Sequence, residues 1–537
     1  MAEEVCLVFE RLTVKKDAYY DSVVLMRLTQ EVQRLAGITD ALVGMATDLN
    51  KDSARAMGFA DPELQDAGPN DLIVALVGEE EKILDEAGKV VAARLESRPR
   101  SRTGAESTRP EAVYSSLSEV PIGGGGVAAI SVPGTYAARE ARAALRRGLH
   151  VFLFSDNVSL EDERVLKETG RREGLLVMGP DCGTAVIGGI GLGFANKVRP
   201  GRIGIVAASG TGLQQALAVI DRLGEGITHA IGTGGRDLRR EIGAITTLMG
   251  LGILEQDEAT AVKMVISKPP HEEVRRRVIA ALEGGSKPSV VCFMGEEGGM
   301  PGAGAGKVRF AGDLEEAAVV ACSLAGAGAG RELYPQEEIE AIVRGVAARL
   351  PGAGGGTGRV GGHLRGLYGG GTLCEETMTV LARSGIEVYS NVAWRPELLL
   401  EDPEMSHAHT CIDMGDDYFT RGRPHPMLEP GLRAPRYLRE ARDPDVGILL
   451  FDVVLGYGCH PDPAGVMAEA VREAAEIARR GGRALVQIAV VVGTSGDPQG
   501  LAGQEKALRD AGAVVLSSNY AAARLVALLL GSERFSR

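Results

Sequence analysis

Short runs of Val, Ile and Leu alternate with longer amphipathic stretches from one end of the chain to the other. The runs include 127–132, 151–154, 174–178, 203–207, 263–266, 290–293, 447–451 and 484–492. Continuous apolar runs of this length, set between helical stretches, predict buried strands of parallel sheets joined by βαβ crossovers. The expected fold class is α/β, multi-domain, with parallel sheets.

Three interruptions divide the pattern. Residues 98–112 are polar, and Gly-rich 123–126 follow. The Pro200–Gly201 pair precedes a fresh strand. Gly-Ala runs between 325 and 362 flank one helical stretch at about 336–350, which reads as a linker with an embedded helix. The expected domains are an N-terminal α/β unit (1–112), a second unit (113–200), a third (201–330), the linker (331–357) and a fourth (358–537). The third and fourth are alike: each opens Gly-Arg-(Ile/Val)-Gly and meets a Gly-rich turn before a helix.

Composition sharpens this picture. Glycine supplies 73 of the 537 residues, roughly twice the usual share of about 7%. The glycines have no three-residue period, which excludes a collagen-like chain. The excess points to tight strand-to-helix turns or to backbone approaching a ligand. Net charge is −13, from 59 basic and 72 acidic residues, which argues against nucleic acid or an anionic membrane as partner. A small anionic substrate remains compatible, because local backbone dipoles override the overall sign. The seven cysteines are scattered, without a C-x-x-C pair, so neither a disulfide framework nor a zinc knuckle is expected. An acidic start and the lack of an apolar run near 18 residues place the expected protein in the cytoplasm.

The sharpest local signal is Gly204-Ile-Val-Ala-Ala-Ser-Gly-Thr-Gly-Leu-Gln-Gln. A strand is expected to end at Ala208, a turn to occupy Ser209, Gly210, Thr211 and Gly212, and a helix to begin at Leu213. Uncovered N–H groups and the helix dipole make such a turn an anion site. Gly366-Leu-Tyr-Gly-Gly-Gly-Thr-Leu-Cys-Glu-Glu-Thr is a second one, with Gly369, Gly370 and Gly371, Thr372 as cap, and Glu375 and Glu376 in the first turn. One such turn is equally well a structural feature; two in separate domains point to a shared phosphate. Other glycine patterns fail. Pro301-Gly-Ala-Gly-Ala-Gly-Lys has Pro where a P-loop needs Gly, and Val308 stands where Ser or Thr would hold magnesium. No G-x-G-x-x-G follows a first strand with an acidic partner, so nicotinamide cofactors lack support.

Several segments together resemble the FdrA-type proteins, relatives of succinyl-CoA synthetase. Ile130-Ser-Val-Pro-Gly-Thr-Tyr, Ser155-Asp-Asn-Val and Met178-Gly-Pro-Asp-Cys-Gly-Thr are similar to parts of the synthetase's CoA-binding domain. Gly204–Gly212 and Gly232-Thr-Gly-Gly-Arg-Asp-Leu are similar to its second domain, the latter adding Gly234 and Gly235 as candidate phosphate contacts. Leu367–Met378 and Asp443–Asp462 are similar to the C-terminal domain of its other subunit. Tyr19-Tyr-Asp-Ser-Val-Val-Leu-Met and Met45-Ala-Thr-Asp-Leu-Asn-Lys look like FdrA-type signatures. The resemblance implies a Rossmann-like CoA-binding-type domain followed by two flavodoxin-like, succinyl-CoA-ligase-type domains. The phosphorylated histidine of the synthetase would fall near Met300–Gly306, where this chain has none, and no ATP-grasp module is present.

By resemblance, Ser209–Gly212 and Gly369–Thr372 are the pair of helix starts that grips a phosphate. The family is linked to oxamate carbamoyltransferase, which converts oxalurate and phosphate to oxamate and carbamoyl phosphate with partner subunits. That chemistry requires no cofactor, takes phosphate as substrate and leaves CoA binding open. The expected partners are a small anionic substrate, phosphate and further protein subunits, with no nucleic acid and no membrane; a homo-oligomer is compatible. The alternatives are an acyl-CoA synthetase dependent on CoA and nucleotide, and a non-catalytic structural or regulatory subunit.

His460 lies just past a buried strand in Asp452-Val-Val-Leu-Gly-Tyr-Gly-Cys-His-Pro-Asp462, where open α/β sheets place ligands. It is a candidate general acid, with Asp462 or Asp452 orienting it; the alternative is a turn histidine held by backbone. His363 or Arg365 could reach phosphate at the second glycine turn, and Lys268 and His271 are comparable candidates. No metal is assigned. The alternative is a site from His407, His409 and Cys411, which would share one face of a strand, with Asp413, Asp416, Asp417 and His425 close behind. Cys182 reads as a small buried turn residue rather than a nucleophile.

Overall fold

Each expected apolar run becomes a strand in the computed structural model, which describes residues 9–96, 114–121, 125–295, 306–327, 332–348 and 360–531, apart from positions 17, 19, 21, 34, 69, 70, 115 and 422. The polar break at 98–112, the greater part of Met300–Gly306, and the Gly-rich run 351–358 lie outside the described residues. So does Tyr19. Two compact units emerge: Met1–Ala112 with Asp417–Pro424, and Val113–Asp416 with His425–Arg537.

The first unit contains β1 (Phe9–Lys15), β2 (Ile38–Met45) and β3 (Leu72–Gly78) in the order β1-β3-β2, both pairings antiparallel. The run Leu-Ile-Val-Ala-Leu-Val-Gly of β3 is buried along its whole length because both faces are covered. Leu25, Val32, Leu76 and Leu84 form one core, and Phe59, Leu64 and Ala75 the other.

The second unit holds three sheets. β4 (Val127–Ile130), β5 (His150–Leu153) and β6 (Val177–Met178) form a small parallel sheet. β7 (Thr184–Ile187), β8 (Ile190–Gly193), β9 (Pro200–Ala207), β10 (Ile227–Gly232), β11 (Val262–Ser267), β12 (Ser289–Phe293) and β13 (Val308–Phe310) form a seven-stranded sheet ordered β13-β12-β11-β9-β10-β7-β8. Its first five strands in that order are parallel, and the β7–β8 hairpin adds antiparallel to β10. That hairpin precedes Pro200–Gly201, so the sheet crosses the expected boundary there. β14 (His363–Tyr368), β15 (Thr410–Asp413), β16 (Val446–Val454), β17 (Val486–Val492) and β18 (Val514–Leu516) form an all-parallel sheet ordered β15-β14-β16-β17-β18.

The two larger sheets share one core. Helix Gly210–Arg222 buries Leu213, Ala216, Leu217, Val219 and Ile220 completely, together with the polar Gln214 and Gln215. It joins helices Gly371–Arg383 and Asn519–Leu529 in a single apolar cluster with residues of both sheets. Polar side chains stitch this layer. Gln215 donates to Ser517 O (3.0 Å) and accepts from Asn519 N (3.2 Å), while the fully buried Asn519 amide donates to Leu373 O and Glu376 Oε2, each at 2.9 Å.

The helix expected near 336–350 is Gln336–Ala347, but it is not a free linker element. Ile339 and Val346 belong to the shared core, and Tyr334 exchanges hydrogen bonds with Ser517.

Candidate functional site at two facing helix starts

The two glycine turns meet. Ser209 caps helix Gly210–Arg222, its Oγ accepting from Gly212 N at 3.0 Å, as an N-cap serine does. The same Oγ lies 2.7 Å from Thr372 Oγ1. The two backbones pass close: a Cβ placed on Gly370 would stand 2.6 Å from Thr211 Cγ2, and one on Gly212 would stand 3.0 Å from Thr372 Cγ2. Only glycine fits such an approach without displacing its neighbour.

Details of the turns differ from the expectation. The first helix starts at Gly210, not Leu213, so three of the four turn positions already belong to it and Ser209 is its N-cap. Gly370, not Thr372, is the N-cap of helix Gly371–Arg383, and Glu375 and Glu376 fall in its second turn. Thr372 sits inside the first turn, which is what lets its hydroxyl cross to Ser209. The N–H groups of Gly210, Thr211, Gly371 and Thr372 have no intrahelical acceptor, and both positive helix ends meet here.

Charged side chains gather beside the second turn. Asp452, fully buried on β16, accepts from Gly369 N at 2.8 Å and from Arg433 Nη1 at 2.6 Å through Oδ1. Its Oδ2 and the Nε of buried Arg433 lack a hydrogen-bond partner among the described residues. Asp413 ends β15, and its Oδ1 accepts from Gly415 N at 2.9 Å. A Cβ on Gly371 would stand 2.4 Å from Asp413 Oδ2. Burial first, then the negative charges of Asp416, Asp452 and Glu375, push the Asp413 carboxyl up to about 7. His425 accepts at Nδ1 from Met427 N at 3.2 Å, which leaves the proton of the neutral ring on Nε2. That Nε2 and Gly369 O would each stand 2.7 Å from a Cβ on Gly415. Burial, reinforced by Arg433, holds His425 down at about 4, so the ring is neutral at pH 7.

Other expected site residues lie elsewhere. Neither carboxylate orients His460. Its Nδ1 accepts from the backbone N–H of Asp462 at 3.0 Å, while the Asp462 carboxylate caps the next helix through Gly465 N and accepts from Gln504 Nε2. Asp452 is committed to Gly369 and Arg433. His460 is therefore a turn histidine held by backbone. His363 begins β14, whose far end carries Gly369; six residues of strand separate them by about 20 Å, so His363 cannot contact a phosphate at that turn. Its ring stands edge-on to His409 at 5.4 Å. Arg365 is buried in ion pairs with Glu440 (2.7 Å) and Asp443 (3.1 Å). Lys268 pairs with Glu375, and His271 caps a helix.

Gly234 serves packing, whereas a Cβ on Gly235 would meet only Asp181 Oδ2, at 3.9 Å. At φ +80° Gly234 turns against the 179–181 turn, where a Cβ would meet Pro180 O at 2.1 Å. The loop closes over Lys167, whose buried Nζ donates to Glu163 (2.9 Å), Thr233 O (2.8 Å) and Asp237 (2.8 Å).

His407, His409 and Cys411 do not share a strand face. Ala408 has φ +46°, so the chain turns before β15 begins. His407 packs edge-on against Tyr389 at 4.6 Å, His409 accepts from Leu364 N, and Cys411 is buried against Gly366. Among the described residues no group of three or more His, Cys, Asp or Glu could hold a metal. Burial pushes the Cys182 thiol up to about 12, as suits a packing residue.

Asp413, His425 and Arg433 were not singled out by the sequence as partners of the glycine turns. Asp413 carries one legible signal, since it closes a short apolar strand at the sheet edge where ligands gather.

Residues 367–529 match the family model described as CoA-ligase, and residues 8–111 match one described as AllF, heavy metal-associated domain. The chain is 40% identical over 519 residues to the uncharacterized protein YahF of Escherichia coli (strain K12), covering 95% of this chain and 96% of that one. It belongs to the FdrA-type, acyl-CoA synthetase-like family that includes YahF. Among solved structures, this family member is similar to the dinucleotide-forming acetyl-coenzyme A synthetase 1 of Ca. Korarchaeum cryptofilum in complex with phosphate and ADP. That match has 18% identity, 79% and 85% coverage of the two chains, and a TM-score of 0.33. It is also similar to ATP citrate lyase from Methanothrix soehngenii in complex with citrate and coenzyme A, at 22% identity, 37% and 35% coverage, and a TM-score of 0.28. Among the described residues no helix is long and apolar enough to cross a membrane.

Proposed function

We propose that this acyl-CoA synthetase-like chain handles an acyl phosphate, with the phosphate held between the starts of helices Gly210–Arg222 and Gly371–Arg383. The observation that carries this reading is the 2.7 Å hydrogen bond between Ser209 and Thr372, which brings two sets of free backbone N–H groups to one place. The unpartnered Arg433 Nε and Asp452 Oδ2 beside Gly369 supply a second, independent sign of an unfilled polar site.

In its most specific form the reaction is oxalurate plus phosphate to oxamate plus carbamoyl phosphate. A phosphate oxygen attacks the carbamoyl carbon, the bond from that carbon to the oxamate nitrogen breaks, and the nitrogen takes a proton. Hydrogen phosphate loses one proton, so the equation balances without CoA or ATP. Preorganised N–H donors at the helix starts would stabilise the charge on the phosphate and the developing oxyanion. Partner subunits would complete the system.

The match of residues 367–529 to the CoA-ligase model favours a second reading, an acyl-CoA synthetase that uses CoA and a nucleotide. One assay separates the two: purified chain, with and without its partner subunits, incubated with oxalurate and phosphate. Carbamoyl phosphate formed without CoA or ATP supports the transferase. Acyl transfer that requires both supports the synthetase, and silence in every mixture contradicts both.

A further inference from the structure

We propose that Asp413 is the proton donor to the leaving group in this reaction. The role rests on the acyl-phosphate reading of the same site. Three observations place it there. Asp413 stands at the carboxyl end of β15, beside β14, whose own end turns into Gly369–Gly371. Its Oδ2 is close enough to Gly371 to exclude any Cβ at that position. Its Oδ1 is fixed by Gly415 N, so one oxygen anchors the side chain while the other faces the helix start.

The surroundings favour the protonated form of this carboxyl. Burial raises it to about 7, and the negative charges of Asp416, Asp452 and Glu375 add to that effect. On the neighbouring segments, Arg433 is already paired with Asp452, and His425 is neutral. A neutral carboxyl beside two positive helix ends also leaves the anion site unopposed, whereas an ionised one would compete with phosphate for the same N–H groups.

The step balances. The bond between the carbamoyl carbon and the amide nitrogen breaks as the Asp413 O–H proton passes to that nitrogen. Hydrogen phosphate, on becoming carbamoyl phosphate, releases the proton that restores Asp413. No oxidant or further reactant is needed.

The test is the pH dependence of kcat for carbamoyl phosphate formation by the full chain with its partner subunits, with inorganic phosphate binding measured alongside. The wild type should lose rate above pH 7, about tenfold per pH unit, because the acid must be protonated. Asp413→Asn should lower kcat by about 100-fold or more, remove that limb and still bind phosphate, and Asp413→Glu should restore part of both. A flat wild-type profile from pH 6 to 9, readable even if the variants fail to fold, overturns the role. So does Asp413→Asn with wild-type kcat, or a limb that vanishes in His460→Gln instead. A wild type that neither turns over nor binds phosphate overturns the acyl-phosphate reading itself.

Discussion

Ser209 and Thr372, 163 positions apart, share a 2.7 Å hydrogen bond between their hydroxyls. Each belongs to the opening of a helix that follows an interior strand of its sheet, β9 for one and β14 for the other. The contact therefore fixes the two sheets relative to each other at the point where both present unpaired N–H groups. Thr372→Val keeps the shape and removes the hydroxyl. Ser209 retains its bond to Gly212, so the expected cost is about 1 kcal/mol, read from chemical denaturation. A loss above about 3 kcal/mol would mean that the hydroxyl supports more than this pair.

The Gly-Gly loop at 234–235 is expected to matter for stability through Lys167. Lys167→Met leaves Glu163 and Asp237 buried beside each other without their cation, although Arg236 still reaches Glu163 at 2.8 Å. Removing one partner of a buried pair costs about 3–5 kcal/mol, and denaturant unfolding should show a loss of that size. A change below 1 kcal/mol would contradict the structural role assigned to this loop.

Much of this fold is legible in the sequence because its strands are buried on both faces and so read as unbroken apolar runs. β16 and β17 are clear cases, with every residue buried. The two glycine turns were legible for a related reason, since strand, small residues and capping residue follow in order. What no local pattern could show is which side chains the crossings bring together. Asp413 lies 41 or more positions from Gly370 and Thr372 in the chain, and Asn519 and Gln215 meet only because three helices share one layer. His460 illustrates the opposite failure: its spacing suggested a carboxylate partner, but the nearest acceptors and donors of a tight turn were backbone groups.

Glu376 offers a pH test of that shared layer. Burial raises its carboxyl from an ordinary value near 4.5 to about 7, against hydrogen bonds from Asn519 and Leu314 that favour the ionised form. Because the folded value is the higher one, the folded chain binds more protons than the unfolded chain between these limits. Stability from this group is therefore complete below pH 4.5 and is lost as pH rises through 7, by at most about 1.4 kcal/mol per pH unit. Glu376→Gln should lack this slope, so its stability relative to wild type should rise between pH 5 and pH 8. Parallel curves for the two proteins would contradict the assignment.

The central claim is that two helix starts form one phosphate site, and calorimetric titration of inorganic phosphate into the wild type, Gly370→Ala and Gly212→Ala tests it most directly. Each substitution drives a Cβ into the opposite turn, at 2.6 Å from Thr211 Cγ2 and 3.0 Å from Thr372 Cγ2 respectively. The account predicts a single phosphate per wild-type chain and affinity reduced about tenfold or more by either change, although the two glycines open helices that follow strands of different sheets. Phosphate binding untouched by both substitutions, or absent from the wild type, would contradict it.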